Sequence, residues 1–378
     1  MTMANTERTT TWKPQMLTIA MLAVLGLLTT GSAQELTDQS IQLAVSEELV
    51  EDPGVAAHRV DVSVEDGVVT LDGRVDNALG KDRAVKVAET VKGVRSVVNA
   101  VNVAAPARPD SEIREDVEQA LLADPVAESW ELEVSVDDGV VTLDGVVDSW
   151  QEKELAVKVV RGVRGVTAVL DDVTWSYEDE RPDTEIEAEV QKALHWNVLV
   201  DNALINVAVD DGEVVLSGTV GSLAEKRQAE TTAWVTGVTA VDAEQLTVES
   251  WARDERFRKD KYVEKPDEAV EQAVADALLY DPRVTMFSID VSVDDGVARL
   301  TGTVDNLKAK RSAAQDARNT LGVWTVKNHI RVRPDDVPSD AAIENDVVNV
   351  LRRSPYVSRY EIDVDVINGQ VFLTGEVD

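Results

Sequence analysis

Apolar residues recur along most of this chain with two alternating periods, first every third or fourth residue and then every second residue. The stretch at 113–121 has the helical period, with apolar side chains on one face at Ile113, Val117, Ala120 and Leu121. Two stretches with the strand period follow at 132–136 and 140–147, separated by an Asp-Gly pair. Asp-Gly between alternating stretches predicts a tight β-hairpin, because glycine tolerates the positive φ that such turns require.

A second helix and a last strand complete each unit. In the first unit, residues 84–91 again have helical spacing, and a Gly-Val pair and an alternating stretch follow. We expect Gly93 to cap this helix, because a left-handed conformation costs glycine little, and Asp110 to cap the first helix of the second unit. The order helix, strand, strand, helix, strand predicts an α+β module, in which a three-stranded sheet packs against two helices.

The unit is repeated. The pattern Asp/Glu-Asp-Gly-x-Val-x-Leu-x-Gly-x-Val, or a near copy, occurs five times, and its closing glycines lie 72, 73, 84 and 73 residues apart. A period of this size is enough for a compact domain of its own. The sequence therefore predicts tandem αββαβ modules. Ten glycines are expected at structural turns: Gly67, Gly73, Gly139, Gly145, Gly212, Gly218, Gly296, Gly302, Gly369 and Gly375.

The predicted modules cover residues 37–104, 110–175, 183–249 and 267–333, with a partial fifth at 339–378. Most linkers are short and marked by proline, but a longer charged linker at 250–266 accounts for the 84-residue spacing. Its mixed charges favour a solvated spacer, so we expect a hinge between a three-module arm and a shorter one. A contact with a partner or with lipid is the alternative.

Two modules depart from the pattern. The third lacks the proline that follows the first helix in the others, so we expect that helix end to be looser or longer. The fifth stops after its second strand, which predicts an apolar face without its second helix. A truncated or degraded repeat and a face that docks elsewhere both stay open as explanations.

The repeated Gly-x-Val-x-Leu-x-Gly-x-Val pattern, the later Gly-Val pair and the order of elements together resemble the BON domain, a module of exported bacterial proteins. The resemblance covers nearly all of the chain after residue 33, as four complete copies and the first part of a fifth. It implies the α+β fold described above. It also implies binding or attachment, commonly at phospholipid membranes and under osmotic stress, and not a reaction.

The first 33 residues have a different character. Arg8 and Lys13 precede an apolar run at 16–28, and small residues follow where a signal peptidase would cut. A run this short spans a bilayer poorly, so we expect a cleaved signal peptide at 1–33 and a periplasmic protein. An uncleaved N-terminal anchor is the alternative. The chain has no cysteine, which excludes disulfides and thiol catalysis.

The chain carries 71 acidic and 37 basic residues, a formal net charge of -34. A surface of that sign repels nucleic acid, so no nucleic-acid partner is expected. The second helices differ from this excess of acidic residues. Residues 79–96 carry five basic and two acidic side chains, and residues 306–323 carry four basic side chains and one acidic side chain. Cations in the second helices are therefore the candidate contacts for lipid or a partner: Lys81, Arg83, Lys86, Lys92, Lys153, Lys158, Arg161, Arg164, Lys308, Lys310, Arg311 and Arg318. Pairing with neighbouring carboxylates is the structural alternative for each of them.

Catalytic and metal chemistry find no support in the sequence. The three histidines, His58, His195 and His329, fall at unmatched positions in their modules, so no repeated acid–base group exists. The Asp-Asp-Gly turns lack the spaced oxygen ligands of a calcium loop. We therefore expect no enzymatic activity, no cofactor and no metal.

These observations predict a multivalent exported binding protein that attaches to the cell envelope at anionic phospholipid and supports envelope integrity under osmotic or related stress. A soluble periplasmic adaptor or chaperone-like scaffold, binding envelope proteins through strand edges or apolar patches, is the alternative. The oligomeric state stays undetermined.

Overall fold

A computed structural model of the chain describes residues 36–55, 59–124, 126, 131–177, 181–258, 261, 263–284, 287–334, 337–358 and 360–377. The predicted signal peptide at 1–33 lies outside the described residues. Within the described ranges, no helix combines the length and the apolar character needed to cross a membrane.

The modules follow the predicted order of elements. The first has α1 (Asp38–Glu51), β1 (Val60–Glu65), β2 (Val68–Val75), α2 (Ala78–Thr90) and β3 (Ser96–Val103). The second has α3 (Asp110–Leu122), β4 (Glu131–Asp137), β5 (Val140–Val147), α4 (Trp150–Arg161) and β6 (Ala168–Trp175). The third has α5 (Asp183–Trp196), β7 (Ile205–Asp210), β8 (Glu213–Val220), α6 (Leu223–Thr232), β9 (Ala240–Asp242) and β10 (Leu246–Val248).

A short helix, α7 (Glu255–Arg258), lies in the charged linker. The fourth module has α8 (Asp267–Leu279), β11 (Ile289–Asp294), β12 (Val297–Val304), α9 (Leu307–Asn319), β13 (Thr325–Asn328) and β14 (Arg331–Val332). The partial fifth has α10 (Asp340–Arg353), β15 (Ile362–Ile367) and β16 (Gln370–Gly375). The last strand is therefore split into two short pieces in the third and fourth modules.

Each complete module pairs its first two strands as an antiparallel hairpin and adds the last strand parallel to the second. In the first module the strand order is β1-β2-β3. Alternation turns Val69 and Leu71 toward the helices, and both are fully buried. The predicted α+β fold of tandem αββαβ modules is confirmed.

The first residue of each first helix holds the hairpin turn of its module. The Asp38 carboxylate accepts hydrogen bonds from the amides of Asp66 and Gly67, both at 2.9 Å. Those residues have φ of 51° and 74°, the left-handed turn that the Asp-Gly signal predicts. The same paired contact recurs at the other first helices, at Asp110, Asp183, Asp267 and Asp340.

This contact corrects the expected role of Asp110. Asp110 is the first residue inside α3 and does not cap it, because Pro109 occupies the cap position without a side-chain hydrogen bond. The Asp110 carboxylate instead reaches Asp138 and Gly139 at 3.0 Å. The acid therefore ties the start of the helix to the hairpin, and also lies favourably at the positive end of the helix dipole.

The glycine of the Gly-Val pair does not cap the second helix either. The helix α2 ends at Thr90, and Val91 is its cap residue. Gly93 follows with a φ of 97°, and its carbonyl lies so close to the hairpin turn that a Cβ on Gly67 would come within 2.8 Å of it. The Gly-Val pair therefore places the loop after α2 against the hairpin turn of the same module.

The partial fifth module leaves its apolar face open within the described residues. Val371 is 40% exposed and Leu373 is 56% exposed, whereas the matching Val69 and Leu71 of the first module are fully buried. No residue of α10 is buried. The difference arises because no second helix covers β16 in the described part of the chain.

Candidate functional site

The second helices, which carry the candidate cations, begin in a common way. An Asn or Ser side chain at the cap position accepts a hydrogen bond from a backbone amide in the first turn, at Asn77, Ser149, Ser222 and Asn306. Small residues such as Ala84 and Ala88 face the core. The longer charged side chains are left to the remaining faces of each helix.

Four of the twelve candidate cations form ion pairs. Arg83 and Lys153 pair within their own modules, with Asp52 at 2.7 Å and Asp171 at 3.2 Å. The other two pair across modules, as Arg161 with Asp82 at 3.1 Å and Lys308 with Asp124 at 3.1 Å. These four cations therefore pair with carboxylates of the protein, which is the alternative to a contact with lipid or a partner.

The other eight candidates have no carboxylate within ion-pair distance in the described part of the chain: Lys81, Lys86, Lys92, Lys158, Arg164, Lys310, Arg311 and Arg318. Among these, Lys86, Lys92, Lys158, Arg311 and Arg318 are exposed. Arg164 is half-buried, and its backbone amide donates to the carbonyl of Arg353 in the fifth module at 2.8 Å. The candidate cations of the second helices therefore include two groups, one exposed to solvent and one located at contacts between modules.

The second helices of the first and third modules pack directly against each other. Leu223 of α6 belongs to the apolar core of the first module. Beside it, Arg227 of α6 donates to Glu89 of α2 at 2.7 Å, and the Glu89 side chain is only 4% exposed. Burial raises the pKa of Glu89, although the Arg227 charge opposes the shift.

Tryptophans join the second and third modules. Trp150, the first residue of α4, stacks on Trp234 with ring centroids 4.7 Å apart and nearly parallel planes. Trp175 meets Trp234 edge-on at 5.4 Å, and the ammonium group of Lys153 lies 5.1 Å from the Trp175 ring. Trp150 and Trp234 therefore bury their ring faces against each other between the two modules.

A buried carboxylate joins the second and fourth modules. The side chain of Asp124 is fully buried, and it accepts hydrogen bonds from Arg283 at 2.7 Å and Lys308 at 3.1 Å. Burial alone would raise the pKa of Asp124. The Arg283 hydrogen bond and charge, followed by Lys308, outweigh burial and leave the pKa below its usual value.

The third and fourth modules meet through their backbones, where the sequence predicted a looser or longer helix. The helix α5 ends at Trp196 after 14 residues, the same length as α1. The Leu321 amide then donates to the Trp196 carbonyl at 2.7 Å, and the Val198 amide donates to Asn319 at 2.8 Å. The prediction is wrong, because hydrogen bonds from the fourth module hold this end.

The described part of the charged linker is packed against the third module. Lys261 is buried, and its ammonium group donates to the carbonyls of Asn197, at 3.2 Å, and Val200. Arg258 pairs with Asp201 at 2.8 Å. Burial lowers the pKa of Lys261 to about 8. The expected solvated spacer is not found at these two residues, because their cations bind carbonyl and carboxylate groups of the module.

The carboxyl groups of Asp316, on α9, and Asp281 lie close together, which affects the charge of α9. Burial, followed by the charge of neighbouring Asp281, raises the pKa of Asp316 to about 8. Asp316 is the one acidic residue in 306–323, so its raised pKa weakens the negative charge of this segment. The helix presents Arg311 and Arg318 with little opposing charge of its own.

Ligand chemistry of other kinds is sparse. In the ranges that the structure describes, no group of three or more His, Asp or Glu side chains is placed to hold a metal ion. Each acidic turn is closed by an aspartate of the first helix, as Asp38 closes the turn at Asp66. His195 lies on α5 and His329 follows β13, while His58 lies outside the described residues.

Comparison with known proteins places these modules in context. The BON domain family model matches residues 37–105, 109–177, 182–250, 266–334 and 339–378. "Osmotically-inducible protein Y" from Escherichia coli (strain K12) is 32% identical over 143 residues, which are 36% of this chain and 71% of that protein.

Solved structures with some likeness include CdsD and the PrgH periplasmic domain. CdsD, a structural protein of the type III secretion system of Chlamydia trachomatis, is 17% identical with a TM-score of 0.17, covering 62% of this chain and 97% of that chain. The PrgH periplasmic domain is 12% identical with a TM-score of 0.13, covering 56% and 98%.

Proposed function

Because this chain belongs to the BON domain family, we propose that it is a non-enzymatic binding protein of the cell envelope, which attaches to anionic phospholipid and supports envelope integrity under osmotic stress. The link to osmotic stress rests on the Escherichia coli relative, osmotically-inducible protein Y. Export rests on the apolar run at 16–28 and the small residues that follow it. The periplasm is therefore the proposed location.

The observation that carries the proposal is the presence of exposed cations without a carboxylate partner among the residues that the structure describes. In a chain with a net charge of -34, most cations have carboxylates available, so unneutralised ones favour an external anion. Each cation near an anionic bilayer contributes about 1 kcal/mol before screening. Several cations on one chain add through effective concentration.

Cosedimentation with vesicles tests the proposal. The mature protein should pellet with vesicles that contain phosphatidylglycerol and stay in the supernatant with pure phosphatidylcholine. Salt should release the bound protein, because the Debye length falls from about 10 Å at 0.1 M to about 3 Å at 1 M ionic strength. If phosphatidylglycerol vesicles leave the protein in the supernatant even at low salt, the adaptor or scaffold function replaces lipid attachment.

A further inference from the structure

The outer face of the fourth module's sheet carries a row of basic side chains. Arg299 lies on β12, Lys327 on β13 and Arg331 on β14, and Arg333 follows; all four are exposed. We call these four residues the cationic sheet face. Alternation separates them from the core, because the residues between them point inward: Ala298, Leu300, Val326, Ile330 and Val332.

The cationic sheet face forms no ion pairs within the described part of the chain. Arg299 and Lys327 are direct neighbours across the parallel pair of β12 and β13, and like charges in that position repel. None of the four cations has a carboxylate within 4 Å among the residues that the structure describes. Acids on this sheet face lie on β11. Ser292 is the direct cross-strand partner of Arg299, and Asp290 and Asp294 are its diagonal neighbours. An external anion would relieve the repulsion.

This arrangement is specific to the fourth module. The pair that matches Arg299 and Lys327 is Thr70 and Val98 in the first module and Thr142 and Leu170 in the second. In the third module it is Val215 and Asp242. A general requirement of the fold therefore does not explain these cations, because the same sheet forms three times without them.

An exposed tryptophan adjoins the same strand. Trp324 is 84% exposed, and its ring lies over Gly296 in the hairpin turn at the end of the sheet. The matching positions hold Arg95, Thr167 and Thr239 in the other complete modules. Tryptophan has an apolar body and a polar N–H, so it is favoured at the boundary between lipid headgroups and hydrocarbon.

We propose that the cationic sheet face and Trp324 form the contact with anionic phospholipid, a proposal that rests on the lipid attachment proposed above. A row of cations on one sheet face, with an exposed indole at the end of the same sheet, is complementary to a headgroup surface, which presents many phosphates in one plane. The second helices then have another role, because α2, α4 and α6 join modules to one another. Attachment is thereby concentrated on one module.

Vesicle binding by two matched charge-reversal variants tests the assignment. The first variant changes the sheet face by R299E, K327E and R331E, and the second changes exposed cations of second helices by K86E, R311E and R318E. Both alter the net charge equally. Affinity for phosphatidylglycerol vesicles should fall by about 100-fold in the first variant and by less than about fivefold in the second. Circular dichroism establishes that both are folded, and R299Q, K327Q and R331Q replace the first set if they are not.

The outcomes of this experiment either support or overturn the assignment of the lipid contact to the cationic sheet face. Selective loss of binding in the sheet-face variant, with a further decrease in W324S, supports the assignment. Equal loss in both variants shows that binding follows net charge, and selective loss in the second-helix variant moves the contact to the helices; either overturns the assignment while lipid attachment stands. If the unaltered protein binds no anionic vesicle, the proposed function itself fails, and this inference fails with it.

Discussion

Replacing Gly145 by alanine should unfold the second module, lowering the free energy of unfolding by about 3 kcal/mol. Gly145 has a φ of 143°, which L side chains rarely adopt, and an alanine Cβ would lie 2.0 Å from the carbonyl oxygen of Glu131. That oxygen belongs to the paired strand, so relief requires the two strands of the hairpin to separate. The expected result is a lower thermal midpoint and faster amide exchange in β4 and β5.

Gly162→Ala is the matched control in the same module. Gly162 has helical backbone angles, and its Cβ would lie 3.1 Å from the Val159 carbonyl. We expect a change of less than about 1 kcal/mol, because alanine is favoured over glycine in helical conformations. Similar unfolding curves for Gly145→Ala and Gly162→Ala would contradict the close approach of the strands at Gly145.

Replacing Arg283 by methionine should separate the second and fourth modules at a cost of about 3 kcal/mol. The substitution keeps an apolar chain of similar length but leaves the fully buried carboxylate of Asp124 with Lys308 alone. The lowered pKa of Asp124 gives this contact a pH dependence. Its contribution is present above the pKa of an unfolded aspartate and is lost as the pH falls through the lower folded value.

Hydrogen exchange locates this effect. We expect faster exchange where the two modules meet, at the end of α3 and the start of α9, with slow exchange kept inside each sheet. Arg114→Met is the control. Arg114 and Glu118 are both half-exposed and form an ion pair at 3.8 Å, and exposed pairs of this kind contribute little to the free energy of unfolding. An Arg283→Met protein that unfolds and exchanges like Arg114→Met would show that Asp124 does not join the modules.

The fold could be predicted from the sequence because its determinants are local. Each module buries one helix face and one strand face, so periods of 3.6 and 2 residues locate its elements, and Asp-Gly marks its turn. The contact of Asp38 with Asp66 and Gly67 also has a sequence signal, an acid 28 residues before each turn. At Asp110 this signal is also compatible with helix capping, because both roles favour an acid at a helix start.

The contacts between modules could not be predicted in this way. Arg283 and Lys308 lie 159 and 184 residues from Asp124, and periodicity carries no information about pairs at that distance. The summed charge of a helix predicts cationic contacts but does not distinguish Lys308, paired with Asp124, from the exposed Arg311. The cationic sheet face has a sequence signal in the alternation of basic residues along 327–333, which a sum of charge over helices does not include.

The contact of the fourth module with lipid can be measured most directly with an environment-sensitive fluorophore. Because the chain contains no cysteine, T325C places one thiol beside Trp324, and Q315C places one on the exposed side of α9. Added phosphatidylglycerol vesicles should shift the emission to the blue and raise its intensity at position 325, with little change at 315. A shift at 315 with none at 325 would contradict the account, because it would place the second helix, and not the sheet, against the membrane.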